Sequence, residues 1–167
     1  SYGKTSVKYY LTTLLKGKYN VLMTPESYNT PMGVVKTVRS SLRATHDIFV
    51  CEMGAKYVGD IKELCDIVHP ESGMVTSIGE QHLESFGSIQ NIINTKYEMA
   101  DGISEGGKLF INISSETVYN NRPSREYITY GLTSEADYYA EDISVSSAGT
   151  SFTLVHDDER VQFKTRL

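Results

Sequence analysis

Apolar residues in the first two thirds of the chain switch repeatedly between two spacings. Val7, Tyr10, Leu11, Leu14 and Leu15 recur at helical intervals and stop at Gly17. Residues 20–24, NVLMT, form a short apolar run of the kind a buried strand shows. Pro31 suits the first turn of a helix whose stripe is Val34, Val35, Val38 and Leu42. Residues 47–52, DIFVCE, predict a second apolar strand that ends on an acid. Asp60 with Glu63 resembles a capping pair, ahead of the stripe Ile61, Leu64, Cys65 and Val68. Residues 73–78 predict a strand, Ser88 caps a helix running to about 101, and 108–113 predict another strand. Continuous apolar strands between amphipathic helices predict an α/β fold, a mostly parallel sheet with helices on both faces.

The last third changes character. Residues 127–130 predict a strand, and SFTLVHDDERVQFKTRL reads as two alternating strands around a polar turn at 156–159. A small antiparallel β unit is expected after the α/β part, with the boundary between 131 and 140.

Composition narrows the picture. The chain has 167 residues, 40% hydrophobic and 22% charged, enough for one domain with a real core. Its net charge of −5 argues against a general nucleic-acid or membrane-surface binder. Without a long apolar run, neither a membrane span nor a signal peptide is expected. Cys51 and Cys65 lack metal-type spacing and read as reduced core residues of a cytoplasmic protein.

Four stretches carry candidate chemistry. In SYGKTS, Gly3, Lys4 and Thr5 supply the second half of a phosphate-binding loop: backbone N–H groups at a helix start, a lysine for phosphate charge, a hydroxyl for magnesium. Alone, the tripeptide also reads as a solvated helix start. Glu52 ends a predicted strand, where a parallel sheet presents groups to ligand; alone, it also reads as a solvated strand-end acid. Gly54, two residues on, suits a tight turn with close ligand approach. His82 follows another strand and becomes a candidate ligand because Glu52 should point to the same sheet edge. Lys96 lies four after Ile92, three after Ile93 and seven after Ile89, on the apolar face of its helix. A lysine there either snorkels to solvent or has a partner or a modification. Carbamylation needs the uncharged amine, which desolvation favours.

SYGKTS, SYNTPMGV, EMGAKYVGDI and TSIGEQHLESFGSIQNIINTK together cover most of residues 1–101. In content and order they resemble the central ATP-binding domain of the Mur ligase family. The run His-Leu-Glu-x-Phe-Gly-Ser with a lysine fourteen after the histidine, and Glu-Met-Gly-Ala, are its specific signals. ADYYAEDISVSSAGTSFTLV resembles the family's stretch before its adenine-binding segment. The resemblance implies a phosphate-loop α/β fold in residues 1–130 and a small β unit in 131–167. It also implies an ATP-dependent amide ligase of peptidoglycan precursor synthesis that acts through an acyl phosphate. The implied partners are a UDP-N-acetylmuramoyl-peptide and D-Ala-D-Ala; the alternative is a related ligase adding a single amino acid or poly-glutamate.

Residue by residue, the resemblance places Gly3, Lys4, Thr5 and Ser6 in the phosphate loop, with Lys4 on the β- and γ-phosphates and Thr5 on magnesium. Glu52 matches the acid of that magnesium. His82 matches a ligand of a second magnesium, and Lys96 the lysine whose carbamate holds it. Asn29 and Thr30 match a loop near the γ-phosphate. The chain departs from many relatives at Asn112-Ile113-Ser114-Ser115, where they have Asn-Ala-Asp-Asp. The family's N-terminal UDP-sugar domain and C-terminal domain have no counterpart in these residues. The chain therefore reads as a domain of a longer enzyme, interrupted inside its phosphate loop, with a central strand lost and MgATP binding weakened.

Overall fold

Strand and helix alternate as the apolar spacing requires. In chain order the elements are α1 (Lys4–Leu15), β1 (Val21–Met23), α2 (Pro31–Ser41), β2 (Ile48–Val50), α3 (Asp60–Val68) and β3 (Ser72–Val75). They continue with α4 (Leu83–Phe86), α5 (Ile89–Gly102), β4 (Lys108–Asn112), α6 (Glu116–Asn120) and β5 (Ile128–Gly131). β6 (Tyr138–Ser146), β7 (Gly149–His156) and β8 (Glu159–Thr165) complete the order. The computed structural model describes residues 3–79 and 81–166. Ser1 and Tyr2 of the opening motif, Glu80 of the histidine-bearing loop and Leu167 lie outside them. No described helix is long and apolar enough to cross a membrane.

Local chemistry sets several boundaries. Pro31 occupies the first turn of α2, where its missing N–H is harmless, and the Thr30 hydroxyl accepts the Gly33 N–H. Ser88 caps α5 in the same way by accepting from Asn91. The start of α3 departs from expectation. Asp60 turns back to accept from the N–H groups of Lys56 and Tyr57, and Glu98 of α5 accepts from Gly59 and Lys62, both at 2.9 Å. The cap comes from another helix because Gly59 has no side chain to offer.

β1 and β2 pair in parallel as a two-stranded sheet. The second sheet runs β3-β4-β5-β6-β7-β8, parallel as far as β6 and antiparallel beyond. β6, absent from the sequence reading, joins the two parts: Tyr138 and Tyr139 pair in parallel with Tyr130 and Gly131. The antiparallel ribbon is thus built onto the edge of the parallel sheet. Asp137 secures the join by accepting from both the N–H and the hydroxyl of Thr129 at 2.7 Å. A register shift between Glu141 and Ser144 breaks the alternation of β6, which hid it.

The core lies under α3 and α5. Ile61, Leu64 and Cys65 meet Ile92, Ile93 and Ala100 above Val75, Leu109 and Ile111. A Cβ on Gly102 would come within 2.4 Å of the Cys65 side chain, so the two helices approach closely. Helix α1 behaves differently. Its buried residues are Lys8 and Thr12, while Leu14 is 69% exposed. Val7, Leu11 and Leu15 instead line a groove of about 840 Å3 between β2 and β3, with Phe49, Met74 and Met99. The apolar stripe of α1 therefore faces a groove and not a closed core.

Candidate functional site

The site forms where α1 begins and where β2 and β3 end. Gly3 takes a left-handed φ of 82°, which turns the chain into α1 without a Cβ clash. Lys4 then opens the helix and lines both the groove and a second cavity of about 290 Å3. Burial pulls the Lys4 ammonium down from the usual lysine range, and the Glu52 charge partly offsets this.

Glu52 sits two residues past β2 and is 5% exposed. Its N–H donates to the fully buried Thr24 hydroxyl at 3.0 Å, which sets the strand end. Oε1 accepts from Asn29 Nδ2 at 2.9 Å, and Oε2 lies 3.2 Å from Lys8 Nζ. Burial pushes the carboxyl up, but hydrogen bonds from Asn29, Thr5 and Lys8, with the Lys8 charge, outweigh it and hold Glu52 below the usual carboxylate range. Thr5, which the resemblance groups with Glu52, is thus near enough to help hold the Glu52 carboxyl down. Asn29 is held further by its carbonyl, which accepts the Gly54 N–H at 2.7 Å. A Cβ on Gly54 would stand 2.7 Å from Asn29 Oδ1. The close approach expected at this glycine is made by Asn29.

The cavity of about 290 Å3 is lined by Lys4, Asn29, Thr30, Asp60, His82 and Lys96, among others. Of the candidate residues it brings together Lys4, Asn29, Thr30, Gly54, His82 and Lys96, while Glu52 lines the adjoining groove. Lys96 reaches it from α5, while the adjoining Ile92, Ile93 and Tyr97 are buried. Burial and then the Lys4 charge lower the Lys96 pKa to about 8, although Asp60 and Glu98 work against them. His82 stands exposed at the N-terminus of α4 with a φ of 63°, in a helix too short for the spacing rules to reveal. Ser6 lies exposed on α1, outside the residues that line the cavity.

Three residues escaped the sequence reading. Lys8 pairs with Glu52, Thr24 anchors it, and Glu98 ties the loop carrying Gly54 to α5 through Gly59. Only Lys8 had a local signal, one helical turn after Lys4, and charged helix positions ordinarily read as solvated.

Comparison with known proteins follows the same lines. The family model described as "Mur ligase middle domain" matches residues 1–167. The UDP-N-acetylmuramoyl-tripeptide–D-alanyl-D-alanine ligase of Bacillus subtilis (strain 168) is 35% identical over 92% of this chain and 33% of its own length. The chain thus spans about a third of the curated relatives it matches. The crystal structure of MurF from Acinetobacter baumannii superposes with a TM-score of 0.90 at 25% identity, over 100% of this chain and 37% of that one. MurF ligase from Thermotoga maritima in complex with ADP gives 0.87 at 28% identity, over 98% of this chain and 38% of that one. With the motifs, the parallel sheet and the shared cavity all in place, the chain belongs to the Mur ligase middle-domain family.

Proposed function

We propose that this chain is the ATP-binding middle domain of a longer ligase that joins D-Ala-D-Ala to a UDP-N-acetylmuramoyl-tripeptide. The single observation that carries the reading is the meeting of Lys4, Asn29, Thr30, His82 and Lys96 in one cavity beside the buried, anionic Glu52. The names of the Bacillus subtilis relative and of the ADP complex support the substrates and the nucleotide.

The residues suit phosphoryl transfer. The turn at Gly3 and the start of α1 offer N–H groups to a phosphate, and Lys4 brings a positive charge to it. The substrate carboxylate attacks the γ-phosphorus and ADP leaves. The amine of the incoming dipeptide then attacks the acyl carbon, loses a proton and displaces phosphate. Asn29 and Thr30 sit where they can orient the transferring group.

Hard oxygen donors fit magnesium at Thr5 and Glu52, since the buried carboxylate stays ionised in contact with the hydroxyl. Among the described residues no group of three or more His, Cys, Asp or Glu could hold a metal. A second ion at His82 would gain an oxygen ligand from a carbamate on Lys96, which lines the same cavity. The amine nitrogen bonds the carbon of carbon dioxide and loses a proton, and a pKa of about 8 leaves enough neutral amine for this. Bound magnesium would neutralise charge on the phosphate oxygens.

The test uses the full-length enzyme. Phosphate release from MgATP with UDP-N-acetylmuramoyl-tripeptide is followed while D-Ala-D-Ala, D-Glu, L-Ala or a diamino acid is offered. Release with D-Ala-D-Ala alone is expected. Release with another amine would move the enzyme elsewhere among the amide ligases, and silence with all four would sink the reading.

A further inference from the structure

Lys8 stands one helical turn beyond Lys4 and is 3% exposed. Its ammonium lies 3.2 Å from Glu52 Oε2 and also donates to the backbone carbonyl of Glu26. Glu26 has a φ of 43°, a left-handed backbone that a glutamate adopts only under constraint. The turn it begins delivers Asn29, whose amide returns to Glu52 Oε1 and whose carbonyl takes the Gly54 N–H. One ammonium thus joins three segments distant in sequence: the helix behind the phosphate-binding turn, the loop with Asn29 and Thr30, and the strand end with Glu52. A pair that served stability alone would need only the carboxylate. The added contact to a strained turn holds the loop that lines the cavity.

We infer that Lys8 is a positioning residue of the nucleotide site, its ammonium fixing the Glu52 carboxylate and the 26–30 loop to α1 so that Glu52 and Asn29 meet the ligand in one geometry. The inference rests on the reading above that these residues face MgATP. Lys8 lines the adjoining groove with Glu52 and not the cavity that holds Lys4, His82 and Lys96, and its ammonium is engaged by Glu52 and the Glu26 carbonyl, so it acts through Glu52 and Asn29.

The experiment compares full-length wild type, Lys8→Met, Asn29→Ala and the double variant. MgADP affinity is read by calorimetry, kcat and KM for MgATP by phosphate release, and the fold by melting temperature. Lys8→Met is expected to weaken MgADP binding and lower kcat/KM for MgATP by about tenfold or more, read at a temperature where it stays folded although the stranded Glu52 carboxylate lowers its melting temperature. The losses from Lys8→Met and Asn29→Ala should not add, falling short of their product by about fivefold, because both act on one carboxylate. Binding and kcat/KM within about twofold of wild type, or strictly additive losses, would overturn the inference. Should Lys8→Met fail to fold, Lys8→Gln, which keeps a donor for the Glu26 carbonyl, is judged by the same numbers. Wild-type MgADP binding is the control. Its absence defeats the nucleotide-site reading itself, whereas a binding wild type beside an equally binding Lys8→Met defeats this inference alone.

Discussion

Gly54 has no room for a side chain, because the Asn29 amide fills the place a Cβ would take. Gly54→Ala should push Asn29 away from Glu52, raise the KM for MgATP and destabilise the fold by about 1–3 kcal/mol, as overpacking does. Urea unfolding and steady-state kinetics read the two effects separately. Lys96 gives a second test. Lys96→Ala should abolish activity in the full-length enzyme, and added short carboxylic acids should restore part of it by replacing the carbamate oxygens. Unchanged activity would eliminate the carbamate. The pKa of about 8 also sets a sign for stability. Between about 8 and the ordinary lysine value of 10.5 the unfolded chain binds the extra proton, so stability rises with pH across that window. Lys96→Met should flatten this rise in denaturant titrations made at pH 7.5 to 10.

Among the elements, α3 and α5 act as one unit. Glu98 accepts two N–H groups at the start of α3, and Ser85 Oγ donates to the Lys56 carbonyl at 2.6 Å. The loop between β2 and α3, which carries Gly54 and ends at Asp60, is thereby held to the helix that carries Lys96. Glu98→Ala leaves two donors without their acceptor and should cost about 1–2 kcal/mol, the scale of a lost helix cap. Activity should fall as well, because the loop backs onto Asn29. A variant that loses stability yet keeps full kcat/KM would show that the cap does not serve the site.

The whole molecule is organised around the groove between β2 and β3. Val7, Leu11 and Leu15 line it, and the sheet on either side ends in a strand edge. With this groove open beside Lys4 and Glu52, residues 1–167 alone should bind MgATP weakly. Isothermal titration of this chain giving micromolar affinity would refute that.

Local order was readable from the sequence because its causes are local. Helical stripes, the proline at the start of α2, Ser88 at the start of α5 and the apolar strands each depend on residues a few positions apart. The candidate residues Lys4, Glu52 and His82 stand in short recognisable runs near a strand or helix end, and Lys96 stood out by its place on the apolar stripe of α5. The tertiary structure alone decided which of them meet. It set Glu52 against Lys8 and Asn29, placed Lys96 beside the cavity, let Glu98 cap a helix 36 residues away and joined the antiparallel ribbon to β5. It also turned the apolar stripe of α1 toward a groove. Such pairings bring together segments far apart in the chain, and burial makes them obligatory, since a buried charge or amide left without its partner is costly; periodicity does not report this.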